Sequence, residues 1–201
     1  MIKRNISAFS QSSRWLLVLV ALTLVFSMAA CADSNFPKAE ESVNGFFKAL
    51  SEADLETART YCISDSDNFK FTDPQEEKMI KLIVQKAKHE IVSSTEDGNT
   101  ATVKVKVTNL DMEKIFEDVM TNLMGEVFDA TLEGKEYSDE ETTELTLKYL
   151  EESMSKPDAP VVTNELDVTL NKDTGKKIWV IRDDDAFVSG ITGNLDGVLD
   201  E

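Results

Sequence analysis

From Ala39 onward the apolar residues fall at helical spacing, with Ala39, Val43, Phe46, Phe47 and Leu50 on one face of a helix entered through Pro37. A shorter helix follows with Leu55, Ala58 and then Tyr61 or Cys62. The run Asp73-Pro74-Gln75-Glu76 supplies an N-cap, a proline at the first helical position and an acid three residues after the cap. Met79, Ile80, Ile83, Val84 and Ala87 continue it as a third helix. His89 is expected in the last turn of that helix beside Lys86 and Lys88, where positive charge complements the carboxyl end of the helix dipole. The period then drops from about 3.6 to 2. Ala101, Val103, Val105 and Val107 point one way and Thr102, Lys104, Lys106 and Thr108 the other, a strand with one wet face. Ile91 to Thr95 precedes it across Glu96-Asp97-Gly98-Asn99, whose Asp-Gly pair marks a hairpin. A second hairpin is predicted from Val162, Leu166, Val168 and Leu170, the turn Asn171 to Gly175, and Ile178-Trp179-Val180-Ile181.

Between the hairpins, residues 111–155 return to helical spacing. Met112, Ile115, Phe116, Val119, Met120, Leu123, Met124, Val127 and Phe128 form a broad stripe behind an N-cap at Asp111. A second helix begins at Ser138, with Glu141 completing a capping box, and runs through Leu145, Tyr149, Leu150 and Met154. Gly134 falls in the connection, and Pro157 and Pro160 end the segment. Helices grouped before and between antiparallel hairpins, with no strand-helix-strand alternation, predict an α+β domain over 37–201. Its helices pack on a curved four-stranded sheet, and a helical insertion occupies 111–155.

The amino terminus is of a different kind. Lys3, Arg4 and Arg14, with no acid, precede an apolar run from Trp15 to Ala30. At 16 residues the run is shorter than the roughly 20 that a permanent membrane span requires, and residues 1–30 read as a signal peptide. Met28-Ala29-Ala30-Cys31 at its end resembles the lipobox of bacterial lipoproteins. That resemblance implies cleavage before Cys31 and attachment of a diacylglycerol to its thiol, with residues 31–36 as a short lipidated tether. Two acyl chains hold stably, since each buried methylene contributes about 0.8 kcal/mol. The expected location is the extracytoplasmic face of the cell membrane, with the domain close to the bilayer.

A second resemblance concerns the fold. Ala39 to Cys62, with Val43, Phe46-Phe47, Ala49-Leu50, Asp54 and Ala58, is similar to the opening helix pair of nuclear transport factor 2-like (cystatin-like) domains of bacterial lipoproteins. Gly175 to Ile181, followed by Phe187, Ile191, Gly193 and Leu195, is similar to the closing strand and tail of those domains. The resemblance implies a cone-shaped cavity beneath the sheet; the insertion at 111–155 departs from the plain family pattern.

Charge and composition narrow the partners. Without its leader the chain has 18 basic and 38 acidic side chains, a formal charge of −20, so its field repels phosphate backbones and nucleic acid is excluded as a partner. Once Cys31 is a thioether, Cys62 is the one remaining thiol, and it reads as a small buried hydrophobe on its helix rather than a nucleophile. The sequence has no Gly-x-Ser-x-Gly elbow, no His-Glu-x-x-His and no phosphate-cradling glycine loop. Asp65-Ser66-Asp67-Asn68, Asp183-Asp184-Asp185 and Asp196 with Asp200 and Glu201 are acidic runs without the spacing of a calcium loop. No metal or cofactor is expected.

Three of the five methionines after the leader, Met112, Met120 and Met124, share one stripe with Phe116 and Phe128. That composition suits an adaptable apolar surface, with Trp179 as a further candidate wall. The predicted function is therefore a noncatalytic, membrane-anchored module that binds a small apolar ligand or a partner protein. An isomerase or dehydratase working in the cone, and an accessory subunit in envelope assembly or transport, stand as alternatives.

Overall fold

Helix α1 (Ala39–Ser51) forms where apolar residues recur every three or four positions, and it buries Ala39, Val43, Phe46, Phe47, Ala49 and Leu50. It opens the compact unit 37–201 of the computed structural model, which describes residues 36–63 and 69–199. The leader, Cys31, the tether up to residue 35, the acidic run 65–68 and the terminal Asp200 and Glu201 lie outside the described residues. Helix α2 (Leu55–Thr60) is capped by Asp54, whose carboxylate accepts from the Thr57 amide at 2.9 Å. Helix α3 (Pro74–Val84) starts as predicted, with Asp73 accepting from the Gln75 amide at 2.8 Å and Pro74 in the first turn.

The third helix ends sooner than its apolar spacing predicts. Strand β1 (Lys88–Asp97) begins four residues after Val84, so His89 lies in a strand and not at a helix end. The physical reason is competition. A cation at a helix terminus contributes about 0.3–1 kcal/mol, whereas in β1 the residue pairs with Val107 and its ring stacks on Phe47.

Strands β1, β2 (Thr100–Leu110), β3 (Val161–Asp173) and β4 (Ile178–Ile181) form one antiparallel sheet in sequence order. The fold is α+β, and the alternation in β2 sets its register. Ala101, Val103, Val105 and Val107 are all buried on the helix side together with Val168, Leu170, Trp179 and Ile181. Each fully buried side chain of this size contributes about 1.5–3 kcal/mol. On the wet side Lys104 pairs with Asp167 (3.2 Å), Lys106 with Glu165 (3.4 Å) and the Thr108 hydroxyl with that of Thr163 (2.8 Å). These exposed pairs add less than about 1 kcal/mol each. A one-residue slip would nevertheless exchange the two faces, so burial of the valines locks the pairing from Thr100 opposite Asn171 to Leu110 opposite Val161.

Helices α4 (Met112–Leu132) and α5 (Asp139–Ser155) form an antiparallel hairpin between the adjacent strands β2 and β3. Its base rests on a second core, in which Ile83 of α3 and Leu110 of β2 meet Met112, Ile115 and Val119 of α4 and Met154 of α5. Helices α6 (Asp185–Ile191) and α7 (Asp196–Leu199) follow β4. The Gly193 carbonyl after α6 accepts from the Met112 amide at 3.0 Å, and the Pro160 carbonyl accepts from the Asp111 amide at 2.9 Å. Buried Asn109 adds a third tie, donating through Nδ2 to the Ile191 carbonyl at 2.7 Å. The hairpin thus leaves the sheet from a fixed base.

Candidate functional site

The stripe predicted along α4 divides in two. Met112, Ile115, Val119 and Leu123 are buried and face the second core, while Phe116 and Met120 are half-buried at its edge. Toward the far end the apolar residues turn outward: Met124 is 68% exposed, Phe128 63% and Leu132 72%. Residues four apart lie within about 40° of one another on a helix, so these three form a single ridge. The same geometry places that ridge half a turn from Ile115, Val119 and Leu123, on the side of α4 that faces away from the core. Trp179 does not join it. The indole is fully buried in β4, donating from Nε1 to the Pro37 carbonyl at 2.9 Å, with the Lys172 ammonium 5.3 Å from its ring.

Polar bonds clasp the projecting half of the hairpin. The hydroxyls of Tyr149 in α5 and Tyr137 before it both donate to the Glu126 carboxylate, Tyr137 at 3.1 Å. Those hydrogen bonds, Tyr149 first, hold the carboxyl of Glu126 below the usual range, and the same bond pushes Tyr149 up to about 12. Helix α4 ends in a left-handed Gly134, φ 77°, with the Lys135 amide donating to the Ala130 carbonyl (2.9 Å) and the Gly134 amide to that of Thr131 (3.0 Å). This double closure is a Schellman end. Ser138 and Glu141 then start α5 with the predicted capping box. Leu132 and the Glu126 clasp were not singled out from sequence. Leu132 continues the stripe four residues past Phe128 and could have been read. The clasp joins residues 11 and 23 apart and leaves no local pattern.

Two members of the acidic runs serve local structure. Asp184 caps α6 through the Phe187 amide (3.0 Å), and Asp196 accepts from the Ser189 hydroxyl (2.6 Å). Among the described residues no cluster of three His, Cys, Asp or Glu side chains is placed to hold a metal ion. Cys62, just past α2, is buried, and burial, reinforced by the charge of Asp183, pushes its thiol up to about 12. On the helix side of the sheet, where the resemblance implies a cone, the rings of Phe46, Phe47 and Phe187 pack with centroids 5.4–5.5 Å apart from that of Phe46.

His89 stacks on Phe47 with centroids 4.4 Å apart and an interplanar angle of 10°, and its Nε2 donates to Asn44 Oδ1 at 2.8 Å. Burial lowers its pKa below the ordinary 6.5. Between the lowered value and 6.5 the unfolded chain binds more protons than the fold, so the stability due to the neutral ring is complete above that window. It is lost as pH falls through the window. A wild-type midpoint of urea unfolding that drops more than that of His89→Gln between about pH 7.5 and about pH 5 is expected. Equal drops in the two proteins would refute the role of the ring.

A family model described as a domain of unknown function (DUF5105) matches residues 35–195. No curated protein matches the chain. Among solved structures, that of ycdA from Bacillus subtilis subsp. subtilis str. 168, a candidate lipoprotein, is 18% identical with a TM-score of 0.44. The similarity covers 76% of this chain and 45% of that one, so this chain spans less than half the length of its relative.

Proposed function

This chain belongs to the DUF5105 family, and we propose that it is a noncatalytic lipoprotein that presents the α4–α5 hairpin to a partner protein at the extracytoplasmic face of the membrane. The observation that carries the binding reading is the ridge of Met124, Phe128 and Leu132, turned away from the core on an element whose base is fastened at three points. Single exposed apolar residues are ordinary on protein surfaces, but a contiguous row on one helix face is the mark of an interaction site. The anchor reading rests on the lipobox at Met28 to Cys31. Among the described residues no helix is long and apolar enough to cross a membrane. The noncatalytic reading draws on His89 being stacked and hydrogen-bonded and on Cys62 being buried with a raised pKa.

Substituting Cys31→Ser is expected to move the protein from the detergent phase to the aqueous phase in a phase-partition experiment on whole cells. Retention of the variant in the detergent phase would refute the anchor. A photo-crosslinking residue placed at position 128 in the living cell tests the docking face. A discrete protein adduct is expected from 128 and not from an exposed site on the wet face of the sheet such as 167. Absence of an adduct at 128 would end the reading of the ridge as a docking face.

A further inference from the structure

We infer that the partner segment seated on the α4 ridge is a cationic amphipathic helix. The inference rests on the reading of the ridge as a docking face and adds the chemistry of its occupant. Met124, Phe128 and Leu132 make a row about 12 Å long, the length over which two or three turns of a second helix can lay an apolar face. Gly125 lies beside that row with open space where its Cβ would be, so a partner can approach the helix backbone there.

Charge selects among the possible occupants. Residues 111–155 include 14 acidic and 3 basic side chains, so this segment carries −11 of the formal charge. Its lysines are already committed: Lys114 to Glu117 and Asp118 (2.8 and 3.2 Å), Lys135 to Glu133 (2.8 Å), and Lys148 over the ring of Tyr149 at 5.9 Å. Acidic residues continue around the tip with Asp129, Glu136, Asp139 and Glu140, all exposed. An apolar row in such a field repels an anionic lipid surface, and it repels a second copy of this chain, which has the same sign of charge. Lysine or arginine residues flanking an apolar stripe gain attraction from the same field, which speeds encounter and fixes orientation.

The test uses the chain from residue 32 onward, since the unit 37–201 has its own two cores. Its probes are three labelled 14-residue helical peptides with one leucine face each and a polar face of lysine, glutamine or glutamate. Saturable binding of the lysine peptide is expected, weakened at least about tenfold by Met124→Ser/Phe128→Ser/Leu132→Ser. A similar loss is expected in Asp129→Asn/Glu133→Gln/Glu136→Gln, with no binding of the glutamate peptide. Circular dichroism of both variants, altered at exposed positions alone, confirms the fold. Equal, ridge-dependent binding of the glutamine or glutamate peptide would overturn the cationic assignment while leaving the docking face intact. Lysine-peptide binding that ignores the ridge substitutions would overturn it as mere charge attraction. A ridge-dependent dimer in sedimentation, or ridge-dependent binding to phosphatidylcholine vesicles, would replace the occupant with a second copy or a lipid surface. The crosslink at position 128 fails separately if the docking reading itself is wrong.

Discussion

Replacing Gly193 with alanine is expected to destabilise the protein by about 3 kcal/mol or more, a large share of the roughly 5–15 kcal/mol that holds a domain of this size folded. Three demands meet at this residue. Its φ is 69°, the left-handed conformation that ends α6, with the Asn194 amide donating to the Ser189 carbonyl at 2.9 Å. An L-residue there costs about 1–2 kcal/mol. A Cβ would also lie 1.8 Å from the Leu110 carbonyl oxygen, a backbone atom with no rotamer to escape into. Relief requires the segment to move, and moving it breaks the bond from the Met112 amide to the Gly193 carbonyl (3.0 Å) and strains the one from Asn109 to Ile191. Each such bond contributes about 0.5–1.5 kcal/mol, more where a buried group is left without a partner. Gly134 isolates the conformational cost, because its φ is 77° with nothing within 4 Å of a Cβ. Gly134→Ala should therefore lose only about 1–2 kcal/mol. In the chain from residue 32, Trp179 is the sole tryptophan, and its fluorescence reports urea unfolding of both variants. Equal losses at the two glycines would show that the close approach to Leu110 is relieved without cost.

What Gly193 does was only partly visible in the sequence. A glycine among apolar residues near the end of the chain marks a turn, but the carbonyl it abuts lies on β2, more than eighty residues away. The legible features were local. Period two in β2, the Asp-Gly turn, the caps at Asp73 and Asp111 and the box at Ser138 each depend on residues within four of one another, and each stands in the structure. His89 was misplaced because a local preference for positive charge at a helix end was weaker than stacking on Phe47, a contact made across the fold. For the candidate site, periodicity showed that α4 has an apolar stripe wider than one core face. It could not show where the core stops. That boundary is set by how far α3 and the end of α5 reach along α4, and it leaves Met124 and Phe128 outside while Leu123 stays in. Trp179, a candidate wall by sequence, lies in the sheet core, and its burial follows from α1 lying over β4.

That burial leads to the second large effect. Trp179→Ala is expected to cost about 3–5 kcal/mol, because it empties a fully buried site in a core whose neighbours, on α1 and on the sheet, are themselves tied down. The indole is also a fastener. Its Nε1 donates to the Pro37 carbonyl (2.9 Å) and its backbone amide donates to the Ser42 hydroxyl (3.2 Å), so β4 grips both the entrance and the first turn of α1. Trp179→Phe keeps most of the volume and removes the side-chain donor, and should lose a smaller amount, about 1–2 kcal/mol. Denaturation followed by circular dichroism measures both, since the variants lack the fluorescent reporter. A loss under about 1 kcal/mol for the alanine variant would be incompatible with full burial of the side chain. The phenylalanine variant has a further use. Pro37 is six residues beyond Cys31, so in the proposed lipoprotein the bond from Trp179 fixes where the domain ends and the tether begins. Loosening it lengthens the effective tether without touching the hairpin, whose core of Ile83, Leu110, Ile115, Val119 and Met154 does not include Trp179. Trp179→Phe should accordingly increase proteolytic cleavage just before α1 while leaving peptide binding to the ridge unchanged. A variant that gained cleavage and also lost peptide binding would show that the two cores are not independent.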